Sequence, residues 1–311
     1  MPAPKLSGPV VWLLTDNKPG HKNQLRGLAE RLEARAGAQL VWVETHKYPV
    51  SWARALLGIT PAIEHSKPDI IVAAGSQTQK LLLACRKRYD AMTVVLMRPA
   101  LPFAKPDLSI IPAHDNPPDR PDVLITRGVL NAIKPQEQPG EAQNGLILIG
   151  GPSEHYEWDG EAILGQVSTL ADEYRDWHWT VTSSRRTPAA LLVQLTDIQR
   201  NNVTFHHHEK TGPNWLIDTL AKTRTTWVSP DSVSMVYEAL TAGTPTGLLH
   251  LEARNNSRVV RGLESLKADG LVTEWQDRAQ LMQAEPGNAP KLWEADRAAE
   301  WVIRKFREFH Q

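Results

Sequence analysis

The sequence predicts an α/β fold made of two similar halves, each with a mainly parallel sheet. Three observations carry this. Short apolar runs of the kind buried on both faces alternate with helical periods, and strands that alternate with helices pair in parallel. The alternation breaks once, at the polar, Pro- and Gly-bearing segment 135–145, and then restarts. With 311 residues and 41% apolar content, the chain is long enough for two ordinary domains, each with its own core.

Taken in order, residues 10–14 (Val-Val-Trp-Leu-Leu) form a first strand, and 15–21 the loop after it. Residues 23–36 make a helix, with Leu25, Leu28, Ala29 and Leu32 on one face and Gly37 as its stop. Strands follow at 40–44 and 68–74. Gly75-Ser76-Gln77-Thr78 then opens a helix at 79–87, and further strands fall at 93–97, 108–112 and 123–126. After 135–145 come a strand (146–149), a loop (150–155), a helix (161–174), a strand (179–182) and a turn ending in Pro188. Pro188 suits a first helical position, so the next helix runs 189–197. A strand at 203–206 and a helix at 214–222 lead to a strand, turn, helix, Gly stop and strand over 225–249. In that unit Val233, Val236, Ala239 and Leu240 share a face and Gly243 ends the helix. Residues 291–311 close the chain as an amphipathic helix, with Leu292, Ala295, Ala299, Ile303, Phe306 and Phe309 at three- and four-residue steps. The expected organisation is a domain over 1–135, a second over 146–290, and the helix 291–311 packing back across both.

Composition narrows the function. Lys+Arg and Asp+Glu are both 35, which argues against a protein that holds nucleic acid by bulk positive charge. The lone Cys85, in an apolar helical context, permits no internal disulfide and reads as a buried helix residue in a reducing compartment. The apolar run 9–14 is far too short to cross a bilayer. A cytoplasmic protein is expected, with peripheral contact at the inner face of the membrane left open. Of the eleven Trp, Trp12, Trp42, Trp227 and Trp301 fall in strands or helices and are expected in the core.

The polar residues collect where strands end. Asp231 or Ser232 can cap the helix that follows them, and the free N–H groups at such a helix start attract anions. Glu238 lies about two turns further on, where a carboxylate accepts hydrogen bonds from a ribose. Gly150 and Gly151 offer bare backbone N–H groups after a strand, and Ser153 adds a hydroxyl. Ser183, Ser184, Arg185 and Arg186 follow another strand, and paired guanidinium groups suit a diphosphate unless they are simply solvated. Asp16 and His21 are candidates for a general base. The alternative is a plain turn with Asn23 as a cap. His206-His207-His208 has only its outer two members on one face of an extended chain and no accompanying ligand set, so a loop is favoured over a zinc site. No Asp-x-Asp pattern accompanies these groups. A reaction without a metal, and without a cofactor, is the simpler expectation.

Four stretches in fixed order carry a resemblance: residues 14–24, 148–159, 182–188 and 231–245. They are similar to the mitochondrial fission factor family, comprising the plant elongated-mitochondria protein and its bacterial relatives. The 232–245 stretch (Ser-Val-Ser-Met-Val-x-Glu-Ala, then Gly-x-Pro) resembles the donor-binding helix of two-Rossmann-domain (GT-B) glycosyltransferases. The resemblance implies two Rossmann-like domains facing a cleft, with the last helix crossing between them. It implies a sugar moved from a nucleotide-diphosphate donor to a lipid-linked or glycan acceptor of the cell envelope. Gly150, Gly151, Ser153, Ser183, Ser184, Arg185, Arg186, Ser232, Val233, Ser234 and Glu238 would hold the donor. Lys18, Gly20, Asn23, Gln24, Gly75, Ser76 and Gln77 would lie on the acceptor side, with Asp16 and His21 catalytic. The alternatives are a non-catalytic nucleotide-binding adaptor of the same fold and a nucleotide-sugar epimerase. The epimerase calls for more carboxylates than these loops carry.

Overall fold

The computed structural model describes residues 8–99, 105–284 and 292–310. The chain divides into two compact units, one of residues 1–132 with 293–311 and one of residues 133–292. Residues 285–290, at the expected end of the second domain, and both ends of the expected last helix, Lys291 and Gln311, lie outside the described residues.

In the first unit, β1 (Val10–Thr15), β2 (Gln39–Glu44), β3 (Ile70–Ala74), β4 (Met92–Leu96), β5 (Leu108–Pro112) and β6 (Val123–Thr126) form one sheet. Its order is β2-β1-β3-β4-β5-β6, and every pairing is parallel. Helices α1 (Pro19–Ala36), α2 (Trp52–Leu56) and α3 (Gln79–Tyr89) connect the first strands. Val11 and Leu13 of β1 pack with Leu25, Leu28 and Leu32 of α1, whereas Trp12 and Leu14 pack with Leu81, Leu82 and Cys85 of α3. Burial on both faces is why β1 reads as an unbroken apolar run. Cys85 is fully buried, and burial pushes its thiol up to about 12. Trp42 departs from expectation. It sits on β2, the sheet edge, and is 38% exposed, with the Lys22 ammonium 5.9 Å from its ring centre. Helix α1 starts at Pro19, earlier than its apolar period suggests, because the fixed φ of proline suits a first helical position. His21, Asn23 and Gln24 therefore ride on the helix.

The second unit repeats the scheme. β7 (Asn144–Leu148), β8 (His178–Thr182), β9 (Val203–His206), β10 (Thr225–Val228) and β11 (Thr246–Leu248) pair in parallel in the order β11-β10-β7-β8-β9. The helices are α4 (Gly160–Glu173), α5 (Ala189–Thr196), α6 (Trp215–Leu220), α7 (Val233–Ala242), α8 (Arg258–Ala268) and α9 (Arg278–Met282). The segment 135–145 belongs to this unit and is tied to it. Gln136 donates from its backbone to Ala242 O and from Nε2 to Leu220 O and Thr223 O, and Glu141 N–H donates to Lys222 O. The Gln136 side chain thus serves two of these bonds.

Helix α10 (Glu294–Phe309) belongs to the first unit and lies along α1. Ala298, Ala299, Trp301 and Val302 join the α1 side of the core, and the Arg31 and Arg35 side chains both reach Asp296. Its apolar face packs on α1 within that unit. No helix among the described residues is long and apolar enough to cross a membrane.

Strand order decides where ligands can bind. In the first unit the chain steps from β1 outward to β2 and then to the other side at β3. In the second it steps from β7 to β8 and β9, then to the other side at β10. Loops leaving the carboxyl ends of β1 and β3, and of β7 and β10, thus part in opposite directions and leave a crevice, where open α/β sheets bind ligands.

Candidate functional site

At the first crevice, Asp16 directly follows β1, and its side chain is 1% exposed. Its Oδ1 and Oδ2 lie 2.9 and 3.0 Å from Nδ1 of His21, on the first turn of α1. The His21 side chain is 21% exposed. An imidazole whose Nδ1–H is held by a carboxylate presents Nε2 as its basic nitrogen, fixed in direction. Gly75, the first residue after β3, closes the arrangement from the other side. It has φ +92°, and a Cβ there would stand 2.5 Å from Nδ1 of His21 and 2.8 Å from Asp16 Oδ2. Only a glycine adopts this backbone and leaves the imidazole and carboxylate their space.

The other residues expected on the acceptor side divide. Lys18, Gly20, Ser76 and Gln77 are exposed at this end of the sheet, and nothing lies within 4 Å of where a Gly20 Cβ would stand. Asn23 is half-buried, and its Oδ1 accepts from Ala132 N–H instead of capping α1. Gln24 points inward, with Nε2 3.6 Å from the Met97 sulfur. Gly75→Ala is expected to destabilise the protein by at least about 1 kcal/mol, since an L-residue at this φ is strained, and to dislodge His21. Thermal melting coincident with wild type would contradict it.

At the second crevice, three loops are sewn together. Gly150 N–H donates to Ser229 Oγ at 2.8 Å and Gly151 N–H to Asp231 Oδ2 at 2.9 Å. The hydroxyls of Ser184 and Thr187 both donate to Gly150 O. The Arg186 guanidinium donates to Gly151 O, Pro152 O and Asp231 Oδ2. The two glycine N–H groups, expected to be bare, are therefore already engaged. What the glycines supply is closeness: a Cβ on Gly150 would stand 2.1 Å from Asp231 Oδ2, and one on Gly151 2.1 Å from Arg186 O. Burial pushes the Asp231 carboxyl above the usual range, against the opposing pull of the Gly151 N–H, Ser229 and Arg186. Its Oδ1 is buried without a hydrogen-bond partner among the described residues.

The two arginines thus differ. Arg186 braces the loops, whereas Arg185 is exposed and makes no hydrogen bond or ion pair among the described residues. Ser183 is buried, with Oγ 3.1 Å from both Nδ1 and the backbone N of His208. Ser153 Oγ accepts the His155 N–H. The open donors lie at α7. Its N-cap, Ser232, makes no side-chain cap, and among the described residues the N–H groups of Val233, Ser234 and Met235 have no acceptor. Glu238 is buried on the same helix.

Of the three histidines, His206 ends β9 and His207 is still extended, whereas His208 opens a turn. A short 3-10 turn over His208–Lys210 stacks the His207 and His208 rings at 4.4 Å, and His206 packs on Trp215. Burial, reinforced by His207 and Arg185, holds the His208 imidazole below its ordinary value. Among the described residues no group of three or more His, Cys, Asp or Glu could hold a metal ion. Sequence reasoning missed Thr187, Ser229 and His208 as parts of this cluster. Ser229 and His208 carry the signal of a position just after a strand end, and Thr187 lies in the 182–188 stretch.

The sequence profile described as Mitochondrial fission ELM1 matches residues 19–306. Curated proteins contain no significant sequence match. Among solved structures, a UDP-N-acetylglucosamine 2-epimerase shares 15% identity and a TM-score of 0.59, over 98% of this chain and 97% of that one. The UDP-GlcNAc 2-epimerase of Methanocaldococcus jannaschii, solved with UDP-GlcNAc and UDP, shares 10% identity and a TM-score of 0.54, covering 96% and 99%. The glycotransferase of kitacinnamycin shares 13% identity and a TM-score of 0.51, covering 96% and 99%. At such identities the likeness shows the fold, that of GT-B glycosyltransferases and UDP-sugar epimerases.

Proposed function

Because the chain belongs to the Mitochondrial fission ELM1 family and has this fold, we propose that it transfers a sugar from a nucleotide-diphosphate donor to an acceptor of the cell envelope at the inner face of the membrane. The observation that carries the reading is the buried Asp16 carboxylate holding Nδ1 of His21 at a strand-order reversal. On this reading the second unit takes the donor. The open N–H groups of Val233, Ser234 and Met235 receive the diphosphate oxygens, Arg185 supplies the unengaged guanidinium, and Glu238 faces the ribose. Gly150, Gly151, Ser183, Ser184 and Arg186 shape the loops around it. The acceptor lies by Lys18, Gly20, Ser76 and Gln77 of the first unit. His21 Nε2 removes the acceptor hydroxyl proton, and the oxygen forms its bond to the anomeric carbon. The bond from that carbon to the phosphate oxygen breaks, and the nucleoside diphosphate leaves with the electron pair.

The test is to incubate the full chain with a panel of nucleotide sugars and follow release of nucleoside diphosphate, with and without lipid-linked acceptor. Release that acceptor accelerates is expected. Binding without release would replace the enzyme with an adaptor, and an epimerised sugar without release would make it an epimerase. The arginines give a finer check. Arg185→Ala is expected to lose one charged hydrogen bond, about 1.5–3 kcal/mol or roughly ten- to a hundredfold in nucleoside diphosphate affinity, with the nucleoside unaffected. Arg186→Ala should instead lower stability by about 1–3 kcal/mol, because Asp231 loses its partner while buried. Equal loss of both ligands in Arg185→Ala would contradict the assignment.

A further inference from the structure

The β2–β3 crossover carries an apolar patch that faces outward. Leu56, Leu57 and Ile59 are 45%, 73% and 44% exposed. They are held in place by a closed turn. Gly58, at φ +71°, follows α2, and Gly58 N–H bonds to Ala55 O while Ile59 N–H bonds to Arg54 O, the paired bonds of a Schellman turn. Such turns usually bury the residue after the glycine against the helix. Here the helix position opposite Ile59 is Arg54, so Ile59 stays outside. Beneath the patch, α2 is anchored on α3 through Ala55, Leu83 and Ala84.

Cations lie beside it. Lys87 Nζ donates to Leu56 O, and the Lys80 ammonium lies 5.5 Å from the Trp52 ring centre. Arg54 is exposed on α2 itself. Between Thr45 and Asp90 there are seven Lys and Arg against three acids, in a chain whose formal net charge is zero. One of those acids, Asp69, is turned inward to the Val10 N–H. Lys47 and Arg86 are paired with Glu44 and Asp107, which leaves Arg54, Lys67, Lys80, Lys87 and Arg88 against the exposed Glu64 and Asp90; of these cations Arg54 lies on α2, Lys80 on its Trp52 ring and Lys87 on its Leu56 carbonyl.

We propose that this patch seats the protein on an anionic lipid bilayer, with Leu56, Leu57 and Ile59 entering the interface and Arg54, Lys80 and Lys87 meeting the headgroups. An exposed apolar turn with cations beside it fits that partner, since a bilayer offers apolar depth and negative charge together. The proposal needs neither donor nor acceptor, and its failure would leave the transfer reading standing on its own tests.

The experiment is flotation of the full chain with vesicles of equal phosphatidylcholine and phosphatidylglycerol, and with phosphatidylcholine alone. The wild-type chain is expected to float with the anionic vesicles and much less with the neutral ones, and to be released by salt. Leu57→Glu, at an exposed site that needs no refolding, is expected to reduce flotation at least tenfold with unchanged melting. Arg54→Glu should act in the same direction and flatten the salt dependence. No flotation of wild type, or flotation unchanged in Leu57→Glu, overturns the proposal. A dimer in solution that Leu57→Glu dissolves, without vesicle binding, would assign the patch to a second copy instead.

Discussion

His21→Ala is expected to slow sugar transfer by about 10²- to 10⁴-fold, the range a positioned proton acceptor contributes, while donor affinity stays at the wild-type value. The imidazole touches Asp16 and lies beside Gly75 in the first unit, whereas the donor is assigned to the α7 end of the second. Asp16→Asn keeps the shape but replaces the acceptor for Nδ1–H with a group that can hold the ring in either tautomer. A loss of the same order is expected, again in turnover rather than in binding. Two variants that transfer at the wild-type rate would show that the pair only shapes the turn, as a capped loop would.

Removing α10 is expected to unfold the first unit or to lower its melting temperature sharply. The helix buries Ala295, Ala298, Ala299, Trp301 and Val302 on α1, and Trp301→Ala alone should cost about 3–5 kcal/mol. Charge adds a pH dependence. Hydrogen bonds from Arg35 and then Arg31 hold the Asp296 carboxyl below its ordinary range, so the folded state favours the ionised form. That stabilisation is complete above the unfolded carboxylate pKa and is lost as the pH falls through the lowered folded value. Urea unfolding near neutrality and in acid checks both points. In Asp296→Asn the midpoint should fall near neutrality and lose part of its acid dependence. An unchanged midpoint on deleting residues 293–311 would make the helix a loose tail.

The alternation of strands and helices was legible because both-face burial leaves an unbroken apolar run, as in β1 and β3. Candidate residues were legible to the same depth, since they follow strand ends. Strand order was not, because nothing in a linear pattern says that β3 returns to the far side of β1 and so brings Gly75 onto His21. The use of each N–H was hidden for a related reason. Gly150 and Gly151 look bare until Ser229 and Asp231, some eighty residues away, accept from them. Helix α8 escaped notice because its buried stripe is only Val260, Leu263 and Leu266 among charged neighbours. The start of α1 escaped because Pro19-Gly20 reads as a turn, although proline is at home on a first helical turn.

The central claim is that the α7 end of the second unit receives a nucleoside diphosphate. Calorimetric titration of the full chain with the common nucleoside diphosphates and their nucleosides tests it most directly. At least one diphosphate is expected to bind one to one and far more tightly than its nucleoside, with Arg185→Ala removing most of the difference. If no nucleotide binds more tightly than about 1 mM, equivalent to roughly −4.1 kcal/mol, the donor site assigned to Val233, Ser234 and Arg185 is wrong.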